Sequence, residues 1–126
     1  VLVGLPDRWP LSELGEMATA LREELHVNIG AVVVNGLWPA NLPSLAAPDP
    51  SIDPDGALVR VFAATTVVAQ QGLRQREGVA AWLAEASSAG PLPPVLALPW
   101  RFQGFSGQRD LEQLLTGLEQ PVSADM

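Results

Sequence analysis

The chain has 126 residues, 48% of them hydrophobic, and a net charge of −7, which suits one globular domain with a core of its own. That acidity argues against nucleic acid, whose phosphates need a basic footprint, and against an anionic membrane surface. There is no cysteine for a disulfide framework or thiolate metal site, and with His26 as the lone imidazole a zinc site would need several carboxylates.

Val1 to Leu5 reads as a buried strand closed by Pro6, and Asp7-Arg8-Trp9-Pro10 as the turn after it. A helix is expected next, with Ser12 as its N-cap and Glu13 and Glu16 in its first turn. Leu14, Met17, Ala18, Leu21 and Leu25 recur at helical spacing and predict its apolar face, with Arg22, Glu23 and Glu24 at an exposed end. His-Val-Asn then leads into Ile29-Gly30-Ala31-Val32-Val33-Val34-Asn35-Gly36. This run is apolar and β-branched without alternation, the mark of a central parallel strand buried on both faces. Strand, helix, strand with short connections predicts a βαβ unit with a right-handed crossover.

Residues 37–57 hold five prolines and predict an irregular loop. Asp49, Asp53 and Asp55 faintly suggest a calcium loop, but the EF-hand spacing is not met and a solvated turn is the plainer reading. Leu58 to about Ala86 predicts a helix with a possible break at Gly72 or Gly78. Its first half, to Ala69, is apolar nearly all round, which implies burial by the sheet, by another copy of the chain, or by a further part of a longer protein. The second half, with Gln70, Gln71, Arg74, Gln75, Arg76 and Glu77, predicts a solvated surface. Ser87 to Pro94 reads as a linker, Val95 to Leu98 as a third buried strand ending at Pro99, and Leu111, Leu114, Leu115 and Leu118 as the face of a last helix. Residues 121–126 read as a frayed tail.

Ligands of open parallel sheets sit beyond the carboxyl ends of the strands. Asp7, Asn35 and Pro99 mark those ends here. The Asn35 amide offers the donor and acceptor pattern that reads an adenine edge, although an Asn can equally serve only to shape a turn. Pro99, Trp100, Phe102 or Phe105 could cover the face of a base, and Asp7 could take a ribose hydroxyl. The chain has no lysine, so a complete Walker A loop is excluded, and no nucleophile–base pair is visible.

These blocks resemble the carboxyl-terminal third of the ArsA-like anion-transporting ATPases, which include the arsenite-pump ATPase and the ATPase that targets tail-anchored membrane proteins. The match runs through Leu5-Pro6-Asp7, where the family has Pro-Glu, then Val32-Val33-Val34-Asn35, the Arg/Gln-rich stretch Gln70 to Glu77, Leu98-Pro99, Gly107 and the terminal leucine helix. The resemblance implies a three-layer α/β portion of a P-loop NTPase over residues 1–120. It implies ATP bound through Asp7, Asn35, Pro99, Trp100 and Phe105 in a cytoplasmic, dimeric ATPase that handles a client or membrane-protein partner. Where the family loop has Pro-Leu-x-x-x-Glu-x-x-Gly, this chain has Trp100 and Gly104 in place of the Leu and Glu, so the carboxylate contact is lost. The cysteines that bridge some members' dimers through zinc are absent. Magnesium and phosphate contacts would come from an amino-terminal part. Val1, in strand-like sequence and not a methionine, reads as the start of a fragment, and this chain alone is not expected to hydrolyse ATP. Two alternatives stand: a non-catalytic interaction domain using the helix 58–69, and a free-standing flavodoxin-like small-molecule binder.

Overall fold

The computed structural model describes residues 1–39, 46–49 and 51–118. Parts of the proline-rich 37–57 loop, and the 121–126 tail, lie outside them. The elements in order are β1 (Leu2–Gly4), α1 (Arg8–Glu23), β2 (Val32–Leu37), α2 (Ala57–Ala89), β3 (Val95–Pro99) and α3 (Gln108–Leu118). The three strands form one parallel sheet in the order β1-β2-β3, so the expected α/β architecture is present.

Strand register sorts the side chains onto two faces. Val32 pairs with Leu2 and Val95, and Val34 with Gly4 and Ala97. This face meets α1 and α2, and Leu11, Leu14, Val32, Val34, Leu37, Val79, Leu83 and Val95 form one buried cluster. Leu11, Val32, Val34 and Val79 are closed off from solvent almost completely, each contributing about 1.5–3 kcal/mol by its burial. Gly4 makes room for Leu14: a Cβ there would lie 3.1 Å from Leu14 Cδ2. The other face carries Val33, Asn35, Leu96 and Leu98. α3 packs against β3 and, among the described residues, contributes nothing to the first cluster, so it lies against this second face. Val3 and Leu5 on the margin of that face remain exposed. Among the described residues β1 has a strand neighbour on one side only.

Several boundaries differ from the sequence reading. α1 starts at Arg8 with Asp7 at the N-cap position, so Ser12 is not the cap, and Glu13 and Glu16 fall beyond the first turn. Pro10 is compatible because the first-turn N–H groups of a helix have no internal partner. Leu11, Leu14 and Ala18 face the core, whereas Met17 and Leu25 are exposed. His26 takes a positive φ of 54° and reverses the chain after α1, with the Val27 N–H donating to Leu21 O. α2 runs unbroken through both Gly72 and Gly78. Its start is held by Asp53, a buried carboxylate that accepts the N–H groups of Leu58 and Val59 at 3.1 and 3.0 Å. The Asp49 carboxylate accepts the Ser51 N–H, and among the described residues no group of three acidic or imidazole side chains gathers as a metal site. On α3, Leu111 and Leu115 are exposed and Leu114 is half-buried, so its predicted apolar face is only partly covered.

The two halves of α2 are buried in the opposite sense to their hydropathy. All four buried residues, Gly72, Gln75, Val79 and Leu83, lie in the second half, which was expected to be solvated. Leu58, Val59, Val61 and Val67 in the apolar first half are about half exposed or more.

Candidate functional site at the carboxyl edge of the sheet

Parallel pairing brings the carboxyl ends of all three strands to one edge. β2 does not end at Asn35. It continues to Leu37, and Asn35 pairs with Leu98 inside the strand. Between Asn35 and Leu37 the register slips, with Leu37 opposite Pro99. Gly36 sits in this bulge at a φ of 87°, a conformation that strongly favours glycine. The extra residue has a consequence for facing. Simple alternation would turn Leu37 the same way as Asn35, but the bulge returns Leu37 to the α1/α2 core and leaves Asn35 exposed on the other face. The Asn35 amide makes no hydrogen bond to a described residue.

An aromatic cluster sits beside this bulge. The Trp100 N–H donates to Leu37 O at 2.7 Å, extending the β2–β3 pairing past Pro99. Its ring lies against Gly36, where a Cβ would come within 3.3 Å of Trp100 Cε3. Phe102 meets Trp38 edge-on at 5.5 Å between centroids and Trp100 at 6.4 Å. Trp100 and Phe102 are each about half exposed. Phe105 stands apart, under the Arg101 guanidinium, with 5.9 Å from Arg101 Cζ to the ring centroid.

Beyond β3 the loop is clasped to the first turn of α3. Arg101 donates to Asp110 at 3.0 Å, and Asp110 accepts the Ser106 N–H and hydroxyl at 2.8 Å each. The Ser106 N–H and then its hydroxyl, with Arg101 adding less, hold the Asp110 carboxyl below the usual carboxylate range. These groups border a hollow of about 250 Å³ lined by Arg101, Phe102, Gly104, Ser106 and Asp110. That is smaller than the ~300–1,000 Å³ of ordinary ligand pockets. A larger groove of about 910 Å³ runs between α1 and α2, past Gly15, Trp82 and Leu92, and includes none of the residues expected to bind.

Asp7 lies past the end of β1, exposed, and its carboxylate makes no capping bond to α1. Pro99 is the last residue of β3. The sheet therefore brings Asp7, Asn35, Pro99 and Trp100 to one edge, while Phe105 lies further along the loop, under the Arg101 guanidinium.

Sequence reasoning missed the clamp that fixes this edge. Buried Gln75 accepts the Trp38 N–H through Oε1 at 2.8 Å, and Arg76 donates to Trp38 O. Gly72 lets α2 approach: a Cβ there would lie 2.5 Å from Pro39 O. A signal was present, because Gly72, Gln75, Val79 and Leu83 recur at the i, i+3, i+7, i+11 spacing of one helix face. α2 meets Trp38 and Pro39 just past β2 and then packs back along the sheet, so residues 57–71 rise beyond the carboxyl edge. No described helix is long and apolar enough to cross a membrane. Compared with protein-family models, curated proteins and solved structures, the chain finds no match in any of the three.

Proposed function

We propose that this chain carries the base-contacting side of an ATP site in a larger ArsA-like P-loop ATPase. The observation that carries the reading is Asn35: an exposed carboxamide, without a partner among the described residues, in a strand otherwise buried on both sides. It lies at the carboxyl edge of a parallel sheet, next to the Trp100 ring on Gly36. One amide supplies the acceptor and donor that an adenine edge requires, and the half-exposed aromatics supply an apolar surface for the ring. Asp7, past the end of β1, is the candidate ribose contact. The shallow hollow and the one-sided β1 suit a site completed by further strands, which would bring the phosphate loop and magnesium. The parent is read as a cytoplasmic ATPase that couples nucleotide turnover to movement of an anion or client protein. This chain alone is read as a weak base binder without hydrolysis.

The test is an amide-resolved NMR titration with millimolar ATP, repeated with adenosine. The Asn35 side-chain amide and the Trp100 indole N–H should shift with both ligands, and Asn35→Ala should weaken the response by about 1–3 kcal/mol. Unmoved Asn35 and Trp100 signals at saturating ligand solubility would refute the reading.

A second reading is a non-catalytic interaction module. It is favoured by the exposure of Leu58, Val59, Val61 and Val67 on the part of α2 that rises past the sheet.

A further inference from the structure

We propose that the groove between α1 and α2 is a binding site for a small organic cation, an apolar body ending in an ammonium head. The groove opens on the helix-covered face of the sheet, opposite the face that carries Asn35, and the inference stands apart from the nucleotide reading.

The groove exists because the two facing helix flanks carry little bulk. Gly72, Gln75, Val79 and Leu83 turn α2 onto the sheet. That leaves Gly78, Ala81, Trp82 and Glu85 on the flank beside α1, at i, i+3, i+4 and i+7. Across from them α1 presents Ser12, Gly15 and Thr19. Trp82 packs on the core cluster and reaches over to α1, where a Cβ on Gly15 would stand 3.3 Å from its Nε1. At Gly78 the space is open, and a Cβ there would meet nothing within 4 Å. The groove holds about 910 Å³ and reaches down to Leu11 and Val32 of the core. Small-molecule sites span ~300–1,000 Å³, so the size suits such a ligand. Because Trp82 closes onto Gly15, a helix about 10–12 Å across could not descend between α1 and α2 to that floor.

Charge selects the class of ligand. Glu16, Glu23, Glu24 and Glu85 border the groove, against Arg8 and Arg22. Among the described residues the one ion pair is Arg101–Asp110, so no described cation neutralises these carboxylates. Arg22 is already engaged, donating to Pro91 O at 3.0 Å. On a chain of net charge −7 an anionic ligand is repelled from such a rim, and a cation is drawn to it. The Trp82 ring adds a face over which an ammonium can rest. The floor is apolar, with Leu11, Val32 and Leu92. An amphiphilic cation matches both parts, its body on the floor and its head among the glutamates in water.

One apolar body with three heads tests this: phenylbutylammonium, phenylbutanol and phenylbutyrate, each titrated into the full chain and followed by amide-resolved NMR. The Trp82 indole N–H and the Gly15 and Gly78 amides should shift with the ammonium, while the Asn35 side-chain amide and the Trp100 indole N–H stay still. The ammonium should bind about tenfold more tightly than the alcohol, and the carboxylate most weakly of the three. Gly78→Leu places its side chain in the open space and should abolish the Trp82 shift, with circular dichroism verifying the fold. Glu16→Gln combined with Glu85→Gln changes exposed positions without altering the packing, and should bring the ammonium down to the affinity of the alcohol. Trp82 signals unmoved by the ammonium at its solubility limit overturn the proposal. So does an alcohol or carboxylate that binds as tightly as the ammonium, and so does an ammonium affinity unchanged in the double glutamine variant.

Discussion

The two halves of α2 share one helix axis and differ in almost everything else. From Ala57 to Gln71 the sequence is apolar and β-branched, and no residue is buried. From Gly72 to Ala89 it carries Arg74, Gln75, Arg76, Glu77 and Glu85 among alanines, and it supplies the helix's whole share of the core. Composition therefore predicts the wrong half as the buried one. Burial goes to the residues that the helix path carries over the sheet, and that path is fixed by the close approach of Gly72 to Trp38 and Pro39. The polar half succeeds because two small-to-medium apolar residues, Val79 and Leu83, suffice once the backbone is near. The buried amide of Gln75 is satisfied by the Trp38 N–H, so its burial carries little penalty.

The comparison can be broken most forcefully at its core end. Leu83→Ala should lower unfolding free energy by about 2–4 kcal/mol, the range for a buried leucine that leaves a cavity. Val67→Ala, on the exposed half, should leave stability within about 0.5 kcal/mol of the wild type. Urea denaturation of both variants decides, and equal effects would mean that the two halves are buried alike.

The glycines provide a second contrast. Gly72→Ala places a methyl 2.5 Å from Pro39 O and should destabilise by about 1–3 kcal/mol as α2 is pushed off the sheet edge. Gly78→Ala meets nothing within 4 Å and should stabilise by about 1 kcal/mol through helix propensity. Thermal midpoints moving in opposite directions are the expected result, and a shared direction would remove Gly72 as the pivot of the helix.

Gln75→Leu keeps an apolar stem on the buried face of α2 and leaves the Trp38 N–H unpaired. A loss of about 1–2 kcal/mol is expected. The amide of Trp38 should lose protection from hydrogen exchange, while amides of the projecting half stay as they were.

The smallest effect lies outside α2 and serves as a control. The Asp110 carboxyl titrates below its ordinary value because Ser106 and Arg101 favour its charged form. Its contribution is thus complete above the unfolded-state carboxyl pKa and fades as pH falls through the lower folded value. The Ser106 amide signal should titrate at that lower pH. Asp110→Asn should abolish this acid dependence and leave the exchange pattern of α2 unchanged.

Much of the architecture was legible because local signals and long-range contacts agree on it. The unbroken apolar run of β2 needs two covered faces, and it is central. Pro99 and Gly107 frame the loop before α3 as expected. The candidate edge was legible in outline, since parallel strands place their carboxyl ends together whatever their side chains. The sequence reads Asn35 as the strand end, two residues too early, because Asn-Gly is a strong turn signal. Backbone pairing with β3 overrides that signal, and Gly36 absorbs the slip as a bulge. The start of α1 was missed because Pro10 reads as a breaker, although the first turn of a helix tolerates it.

What the sequence by itself determined is the order of strands and helices, the exclusion of thiolate and Walker A chemistry, and the gathering of the strand ends on one edge. These follow from residue type and spacing, which act within a few residues of one another. The tertiary structure alone decided which half of α2 is buried, which glycine carries a close approach, and to which face Asn35 turns. Each of those depends on where a distant backbone segment lies: Pro39 for Gly72, Trp38 for Gln75, and Leu98 and Pro99 for the bulge at Gly36. Hydropathy records what a side chain prefers, whereas burial records what the rest of the chain places against it.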